Sequence, residues 1–294
     1  MQSPHTIRLS GPGIVLEPAA LTRDAFAPFG DVVENPRPDI HPSSADRAPS
    51  PLPFDAVVAN QGSAVKYQHV SRQVNLYDQA PSGRPGSAIT SIFVCAARAR
   101  IPDPAPAATP APDSALSRLP GSASPLPGPT STFPVAILER HPYTTQTFIP
   151  LTADPTARYL VIVAPSLPPT PEDTLPVPAT SPPSDVKYPR PLPGSGMPDL
   201  RRVRAFVAHA SQAVTYGAGT WHGPMVALGE AGTAIDFVVV QFANGVGLED
   251  CQEVLLEGPA KASGPETRAA GGIVVNLASG KDLGRVMAGR YAKL

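Results

Sequence analysis

The chain has 294 residues, and its 23 lysines and arginines nearly balance its 24 aspartates and glutamates. This balance argues against a nucleic-acid-binding protein and against a polybasic membrane surface, because both need clustered positive charge. The two cysteines, Cys95 and Cys251, form neither a disulfide framework nor a C-x-x-C metal motif. Forty residues are proline, which excludes a helical bundle or a long coiled coil, since proline breaks the hydrogen bonds inside helices.

Short apolar runs recur along the chain with turn residues between them, and they are rich in Val, Ile, Phe and Tyr, as β-strands are. Three of these runs, at 91–96, 159–164 and 235–242, have the continuous apolar pattern of strands that are buried on both faces. In chain order, the predicted strands are residues 13–16, 56–59, 89–96, 135–138, 147–151, 159–164, 204–208, 213–216, 233–242 and 252–256.

Few segments have helical character. Residues 21–30 contain an N-cap at Thr22 and a glycine stop at Gly30, and shorter helices are predicted near 200–204 and within 281–294. Many strands with few short helices predict a mainly β fold, a barrel or a sandwich.

Two proline-rich stretches, 102–134 and 165–198, contain 22 of the 40 prolines. Both are rich in Ala, Ser and Thr and poor in large apolar residues, so they cannot bury enough surface to offset the entropy lost on ordering. We expect them to be surface insertions with local polyproline II structure, within a single domain that spans residues 1–294.

Residues with catalytic potential concentrate first in ERHPYTTQ, residues 139–146, directly after a predicted strand. Alternate residues of an extended chain share a face, so Glu139 and His141 can point the same way, and Gln146 lies a short turn away. The second concentration is YGAGTWHGP, residues 216–224, whose glycines permit a tight turn.

The spacings in these two segments resemble the motifs of the cupin superfamily. Cupins carry H-x-H-x(3,4)-E in the first motif, where this chain has Glu139, His141 and Gln146. They carry P-x-G-x-x-H in the second, where this chain has Gly217, Gly219 and His222. The resemblance implies a cupin-like double-stranded β-barrel. Alternatively, both histidines are satisfied residues of a barrel interior with no ligand.

A larger set of segments resembles the ureidoglycolate lyase family, and the segment at 75–86 resembles its fungal branch. These segments are FGDVVE (29–34), NQGSAVKY (60–67), NLYDQAPSGRPG (75–86), LERHPYTTQTFIPL (138–151), DLRRVRAFV (199–207), VTYGAGTWHGPM (214–225) and IDFVVVQF (235–242). The resemblance implies a homodimer that eliminates urea from ureidoglycolate to give glyoxylate, a late step of allantoin and purine catabolism.

The implied elimination needs a base for the substrate hydroxyl, an acid for the departing nitrogen and a cation for the carboxylate. We expect Glu139 or His141 to be the base, His222 the acid and Lys66 the carboxylate anchor. The expected substrate contacts are amides for the ureido group and aromatic rings that wall the pocket: Asn60, Gln61, Gln146, Tyr67, Tyr143, Tyr216 and Trp221.

No cofactor is expected to be obligatory. A divalent metal at Glu139, His141 and His222 could nevertheless polarise the substrate hydroxyl, and the family resemblance suggests nickel. Two other functions stay open: a non-enzymatic ligand-binding or storage cupin, and a metal-dependent cupin dioxygenase or isomerase. The neutral Gln146, a poor metal ligand, argues against the second of these.

The tripeptide Ala292-Lys293-Leu294 resembles the S-K-L signal that the peroxisomal import receptor binds. It predicts a peroxisomal location, with the cytoplasm as the alternative. No apolar run approaches the roughly 18 residues that a membrane-spanning helix needs.

Overall fold

The fold is mainly β and cupin-like, as predicted. The computed structural model describes residues 5–47, 51–99, 132–179, 190–258 and 272–277. Within these ranges the α-helices are only four residues long. No helix there is long and apolar enough to span a membrane.

Every predicted strand coincides with at least one observed strand. The strands are β1 (His5–Arg8), β2 (Ile14–Leu16), β3 (Ala19–Ala20), β4 (Gly30–Val33), β5 (Val57–Ala59), β6 (Ala64–Lys66), β7 (Ser87–Ala99), β8 (Thr132–Val135), β9 (Ile137–Arg140), β10 (Gln146–Leu151), β11 (Arg158–Ala164), β12 (Arg204–His209), β13 (Ala213–Tyr216), β14 (Trp221–His222), β15 (Val226–Leu228), β16 (Ala234–Ala243), β17 (Gln252–Glu257) and β18 (Ile273–Asn276). The α-helices are α1 (Arg23–Phe26) and α2 (Gly247–Asp250), and short 3-10 helices cover Pro42–Arg47, Asn60–Gly62, Tyr77–Gln79 and Leu200–Arg202.

Thirteen strands form one mixed sheet. Its main path is β1-β17-β9-β14-β11-β15-β7-β16-β10-β13-β4, while β12 pairs with β11, and β3 pairs with β12. Two smaller sheets contain β2-β18-β8 and β5-β6. This order places β9 beside β14 and β10 beside β13, although each pair is far apart in the sequence. The two segments with catalytic potential therefore meet.

Strand β11 lies between two apolar clusters and is buried on both faces, as predicted. Residues Tyr159, Val161 and Val163 pack into one cluster with Phe148 and Phe237. Leu160, Ile162 and Ala164 point to the other face and pack into a second cluster, which the sheet β2-β18-β8 covers. This doubly buried strand explains the uninterrupted apolar sequence at 159–164.

The same prediction is wrong for the other two apolar runs. In β7, Ile92 and Val94 are 57% and 69% exposed. Strand β16 alternates, with Ile235, Phe237 and Val239 buried and the residues between them less buried. Among the described residues the outer face of these strands is largely exposed, so an apolar run here does not indicate burial within one chain.

Helix α1 begins where the sequence predicts. The hydroxyl oxygen of Thr22 accepts a hydrogen bond from the Ala25 N–H at 3.3 Å, which is the expected N-cap. Phe26 then packs edge-on against Phe206. The short helix predicted near 200–204 is a 3-10 helix at Leu200–Arg202, the predicted helix in 281–294 lies outside the described residues, and α2 was not predicted.

The described parts of the second proline-rich stretch are bonded to the body of the fold: the Arg190 side chain donates to the Gly30 carbonyl at 3.0 Å, and the Gln252 side chain donates to the Pro176 carbonyl at 2.7 Å. At its base, the Leu167 N–H donates to the Met197 carbonyl at 2.8 Å and the Asp199 N–H to the Pro165 carbonyl at 2.7 Å. Of the first stretch, 102–131 lies outside the described residues, and its last three residues belong to β8.

Candidate active site

Glu139, His141 and His222 lie together. His222 is directly opposite Glu139 in the pairing of β14 with β9, and its Nε2 atom is 3.5 Å from Oε1 of Glu139. His141 follows β9, and its ring centroid is 5.5 Å from that of His222. One potential ligand atom from each residue lies within 4.8 Å of the others. The fold therefore brings the three sequence-predicted acid–base residues into one group.

The His141 ring is held in one tautomer. Its Nδ1 atom lies 2.6 Å from the backbone carbonyl of Asp250. A carbonyl only accepts hydrogen bonds, so Nδ1 carries the proton and Nε2 of the neutral ring keeps its lone pair. Burial, together with the neighbouring His222, lowers the pKa of His141 to about 4, so the ring is neutral at pH 7. Its buried Nε2 has no hydrogen-bond partner among the described residues.

The His222 ring is oriented in the same way. Its Nδ1 atom donates to the Thr220 carbonyl at 2.9 Å, which directs Nε2 toward Glu139 and toward Oε1 of Gln146, 3.2 Å away. The ring also stacks on Tyr216, with centroids 4.0 Å apart and planes inclined by 13°. Both polar atoms near Nε2 are oxygens, so they can accept a hydrogen bond when that nitrogen carries a proton.

Glu139 is a carboxylate at neutral pH. Burial raises its pKa, but the contact with His222 and the charges of both histidines outweigh burial and hold the pKa below its usual value. The Sγ atom of Cys251 is 4.0 Å from Oε2 of Glu139. Burial and this carboxylate raise the pKa of Cys251 to about 12, so it stays a thiol.

The model of the family described as ureidoglycolate lyase matches residues 14–263. The chain belongs to the ureidoglycolate lyase family. This result confirms the resemblance seen in the sequence, and the matched range contains Glu139, His141 and His222.

Individual family members agree with this placement. The ureidoglycolate lyase of Schizosaccharomyces pombe is 32% identical over 242 residues, which cover 82% of this chain and 91% of that protein. The ureidoglycolate lyase of Burkholderia mallei is 29% identical over 220 residues, 75% of this chain and 78% of that protein. The Saccharomyces cerevisiae enzyme of the same name is 33% identical over 111 residues, covering 37% of this chain and 43% of that protein.

Gln146 reaches the family's candidate site from β10, as predicted, and a second amide fixes its direction. The Gln146 side-chain nitrogen donates to Oε1 of Gln241 at 2.6 Å, because Gln241 is directly opposite in β16. The Gln146 oxygen consequently faces His222. Sequence reasoning missed Gln241, since cross-strand register cannot be read from the chain alone.

The aromatic residues predicted to wall the pocket do not all lie on the same side of the sheet. Tyr216 stacks on His222, and the buried hydroxyls of Tyr143 and Tyr216 have no hydrogen-bond partner among the described residues. Trp221 is fully buried in the other apolar cluster, and its indole N–H donates to the Gly196 carbonyl at 3.1 Å. Adjacent strand residues point to opposite faces, so Trp221 supports β14 from behind rather than walling the pocket as predicted.

The predicted carboxylate anchor lies on a separate hairpin. Lys66 is exposed in β6, and Asn60 and Gln61 are exposed in the turn between β5 and β6, both with positive φ. Tyr67, which follows β6, is half-buried. In the part of the chain that the structure describes, no hydrogen bond or ion pair joins these four residues to Glu139, His141 or His222. Their roles stay predictions.

Arg140 stands between Glu139 and His141 in the sequence and was not predicted to have a role in the site. Its side chain is fully buried. Its guanidinium donates to the carbonyls of Gly194 (2.9 Å), Ser195 (3.1 Å) and Gly196 (3.2 Å), and to Oε1 of Gln252 (2.8 Å). It also lies 4.4 Å above the Trp221 ring. Arg140 therefore ties the second proline-rich stretch to β9, the strand that carries Glu139, and packs on Trp221 of β14.

The turn before β14 depends on Gly219. Its φ is +76°, its N–H donates to the His141 carbonyl at 2.8 Å, and a Cβ there would be 3.1 Å from the Pro193 ring. We expect Gly219→Ala to lower the free energy of unfolding by about 1–2 kcal/mol, because an L-residue is strained at positive φ.

Chemical denaturation checks this expectation. Gly247→Ala is the matched control, because Gly247 has open space around its Cβ position and starts a helix. Equal stability of Gly219→Ala and the parent chain would contradict a conformational role for Gly219.

Proposed function

We propose that this chain is a ureidoglycolate lyase that eliminates urea from ureidoglycolate and leaves glyoxylate. The observation that carries the proposal is the convergence of one carboxylate and two histidine rings, each held through Nδ1 by a backbone carbonyl, within the range matched by the family model. Acid–base groups on both sides of a small polar substrate are what this elimination needs.

The elimination breaks one C–N bond. A base removes the hydroxyl proton, the electron pair of that O–H bond forms the carbonyl of glyoxylate, and the departing urea nitrogen takes up a proton. His222 is the acid, because two oxygens can accept a hydrogen bond when its Nε2 carries a proton. His141 is the base, because its Nε2 lone pair is free whereas Oε1 of Glu139 faces His222 and Oε2 faces Cys251. Glu139 stabilises the protonated His222.

The substrate contacts follow from the same geometry. The oxygen of Gln146 faces the site and can accept a hydrogen bond from the ureido nitrogen, while Tyr216 forms an apolar wall beneath His222. Lys66 is the proposed carboxylate anchor, and Asn60, Gln61, Tyr67 and Tyr143 are further proposed contacts.

The three residues also fit a divalent ion such as nickel. Each imidazole donates Nδ1–H to a backbone carbonyl, which is the arrangement that usually orients metal-binding histidines. A bound ion would polarise the substrate hydroxyl. A nitrogen lone pair cannot bind a metal ion and move a proton at once, so the metal and the acid–base roles of the histidines exclude each other.

Chelation separates the two roles. We expect the chain treated with EDTA and dialysed to keep urea release within about twofold of the untreated chain, because acid–base catalysis needs no ion. Activity that disappears on chelation and returns with added Ni²⁺ would contradict the acid–base assignment.

The activity itself is tested by the products. Incubation with ureidoglycolate is expected to release urea and glyoxylate in equal amounts. Release of ammonia and carbon dioxide instead would identify an amidohydrolase and reject the elimination. Absence of any turnover would favour a ligand-binding or storage cupin.

We propose that the chain is a homodimer and that the outer face of β7, β16 and β10 is its interface. Ile92 and Ile149 lie in one cross-strand row through Val238, and Val94 and Leu151 lie on either side of the exposed Asp236 in the next row. Four large apolar side chains around Asp236 are therefore exposed on one face of three adjacent strands. Soluble monomers rarely expose such a contiguous apolar surface, and a second copy of the same face would cover it.

Charge in this face should separate the subunits. We expect the double variant Ile92→Asp, Val94→Asp to sediment as a monomer at concentrations where the parent chain is a dimer, because two carboxylates would be desolvated on each side. Val58→Asp is the control, since Val58 is equally exposed but lies on the β5-β6 hairpin. A monomeric parent chain, or a dimeric double variant, would reject this interface.

The proposed location rests on the sequence. The tripeptide 292–294 lies outside the described residues, so peroxisomal import, with the cytoplasm as the alternative, stays a prediction.

A further inference from the structure

A group of hydrogen bonds lies on the Nδ1 side of His141, and none of the roles assigned above uses it. We propose that Tyr77 and Asp250 are positioning residues that fix the direction and the tautomer of the His141 ring. Neither residue is expected to touch the substrate. The inference rests on the proposed role of His141 in the site.

Backbone hydrogen bonds fix the direction of the Asp250 carbonyl that accepts from His141. It belongs to the peptide unit between Asp250 and Cys251, whose N–H donates to the Gly247 carbonyl at 2.8 Å. The N–H of Asp250 donates to the Val246 carbonyl at 2.8 Å. Because a peptide unit is planar, bonds on both sides of Asp250 set the direction of its carbonyl oxygen.

The Asp250 side chain adds three further bonds. Its Oδ1 accepts from the Tyr77 hydroxyl at 2.7 Å and from the Asn244 N–H at 2.8 Å, and its Oδ2 accepts from the Gly245 N–H at 2.8 Å. Hydrogen bonds to a carboxylate are roughly twice as strong as those between neutral groups. The loop that carries the carbonyl, residues 244–250 including α2, is therefore held independently of His141.

Tyr77 also contacts the chain next to His141. Its buried ring lies 5.6 Å from that of Tyr143, and the Leu76 N–H donates to the Tyr143 carbonyl at 2.8 Å. Tyr143 is two residues after His141. The segment around Tyr77 thus contacts both the turn that carries the imidazole and the loop that carries its acceptor, which gives a function to the motif at 75–86.

The fixed carbonyl determines which nitrogen of His141 carries the proton. A fixed carbonyl allows only the Nδ1–H tautomer, and this leaves the Nε2 lone pair directed at the site. If the loop relaxes, the ring can turn and the Nε2–H tautomer becomes accessible. That tautomer has no lone pair to offer the substrate hydroxyl.

The test is Tyr77→Phe in the full-length chain, which removes one hydroxyl and keeps the ring. We expect kcat for urea release to fall about 10- to 100-fold, the scale found for partners that orient metal-binding histidines, while KM changes less than about twofold. The ¹⁵N spectrum of the histidine rings should show the His141 signals leave the pure Nδ1–H position. His141→Gln identifies those signals.

Tyr159→Phe is the matched control. The Tyr159 hydroxyl is also buried and donates to a backbone carbonyl, that of Gln212, at 2.6 Å. This variant loses an equivalent bond and should keep the parent His141 spectrum. Asp250→Asn repeats the test at the acceptor and should move the same signals.

A parent-like His141 spectrum in both Tyr77→Phe and Asp250→Asn would overturn the inference, even if their kcat falls. The spectrum needs no substrate. A chain that releases no urea would therefore reject the proposed function, while the ring spectrum still decides the positioning role.

Discussion

His222→Ala is expected to lower kcat for urea release by roughly 10²- to 10⁴-fold, the usual contribution of one positioned acid or base. The physical reason is the loss of the proton donor, because Nε2 of His222 is the nitrogen that faces Glu139 and Gln146. KM should change much less, since the departing nitrogen takes up its proton only as the C–N bond breaks.

Glu139→Gln should give a loss of the same order by a different route. The amide keeps the shape of the carboxylate but removes the negative charge that stabilises protonated His222. Steady-state kinetics of urea release measure both effects. His41→Ala is the control, because His41 is an exposed histidine without a proposed role, and its hydrogen bonds among the described residues are to neighbouring Ser43 and Ser44. Parent-like kcat in His222→Ala and Glu139→Gln would place the reaction elsewhere.

Arg140→Met is expected to lower the free energy of unfolding by about 2–4 kcal/mol. The Gly194 and Ser195 carbonyls and Oε1 of Gln252 would lose the guanidinium donor, and each buried polar atom left unpaired costs about 1–3 kcal/mol. Partial exposure of the Gly194 and Ser195 acceptors lets water replace some of the loss, which sets the lower end of the range.

The single tryptophan, Trp221, reports directly on this change, because it lies under Arg140 and bonds to Gly196. Urea denaturation followed by its fluorescence gives the free energy of unfolding. Arg37→Met is the control, since the exposed ion pair between Arg37 and Asp39 is expected to add little to the free energy of unfolding. Equal stability of the Arg140 and Arg37 variants would show that the proline-rich stretch does not depend on Arg140.

Local chemistry of the sequence predicted most of the β-strands and the helix start at Thr22. Strand β11 could be recognised because its residues are apolar on both faces. The same pattern was misleading in β7, since an apolar run looks alike whether it is covered by its own chain or left exposed. Apolar sequence specifies that burial is favourable, but not which surface provides the cover.

The sequence predicted only part of the candidate site. Alternation along β9 placed Glu139 and His141 on one side, and the motif around His222 marked the second imidazole. The contact of Gln241 with Gln146 could not be predicted, because it comes from the register of β16 against β10. The two carbonyls that orient the imidazoles, on Asp250 and Thr220, could not be predicted either, because every residue has a carbonyl and only the fold selects one.

By itself, then, the sequence determined the mainly β class and the family, and it predicted the acid–base residues. These depend on side-chain types and short spacings, which are written along the chain. Only the tertiary structure decided that His222 faces Glu139 across β14 and β9, that Arg140 supports the site from behind, and that Lys66 lies on a separate hairpin. Such relations arise from pairing between distant segments, and their geometry exists only after the backbone hydrogen bonds between strands have formed.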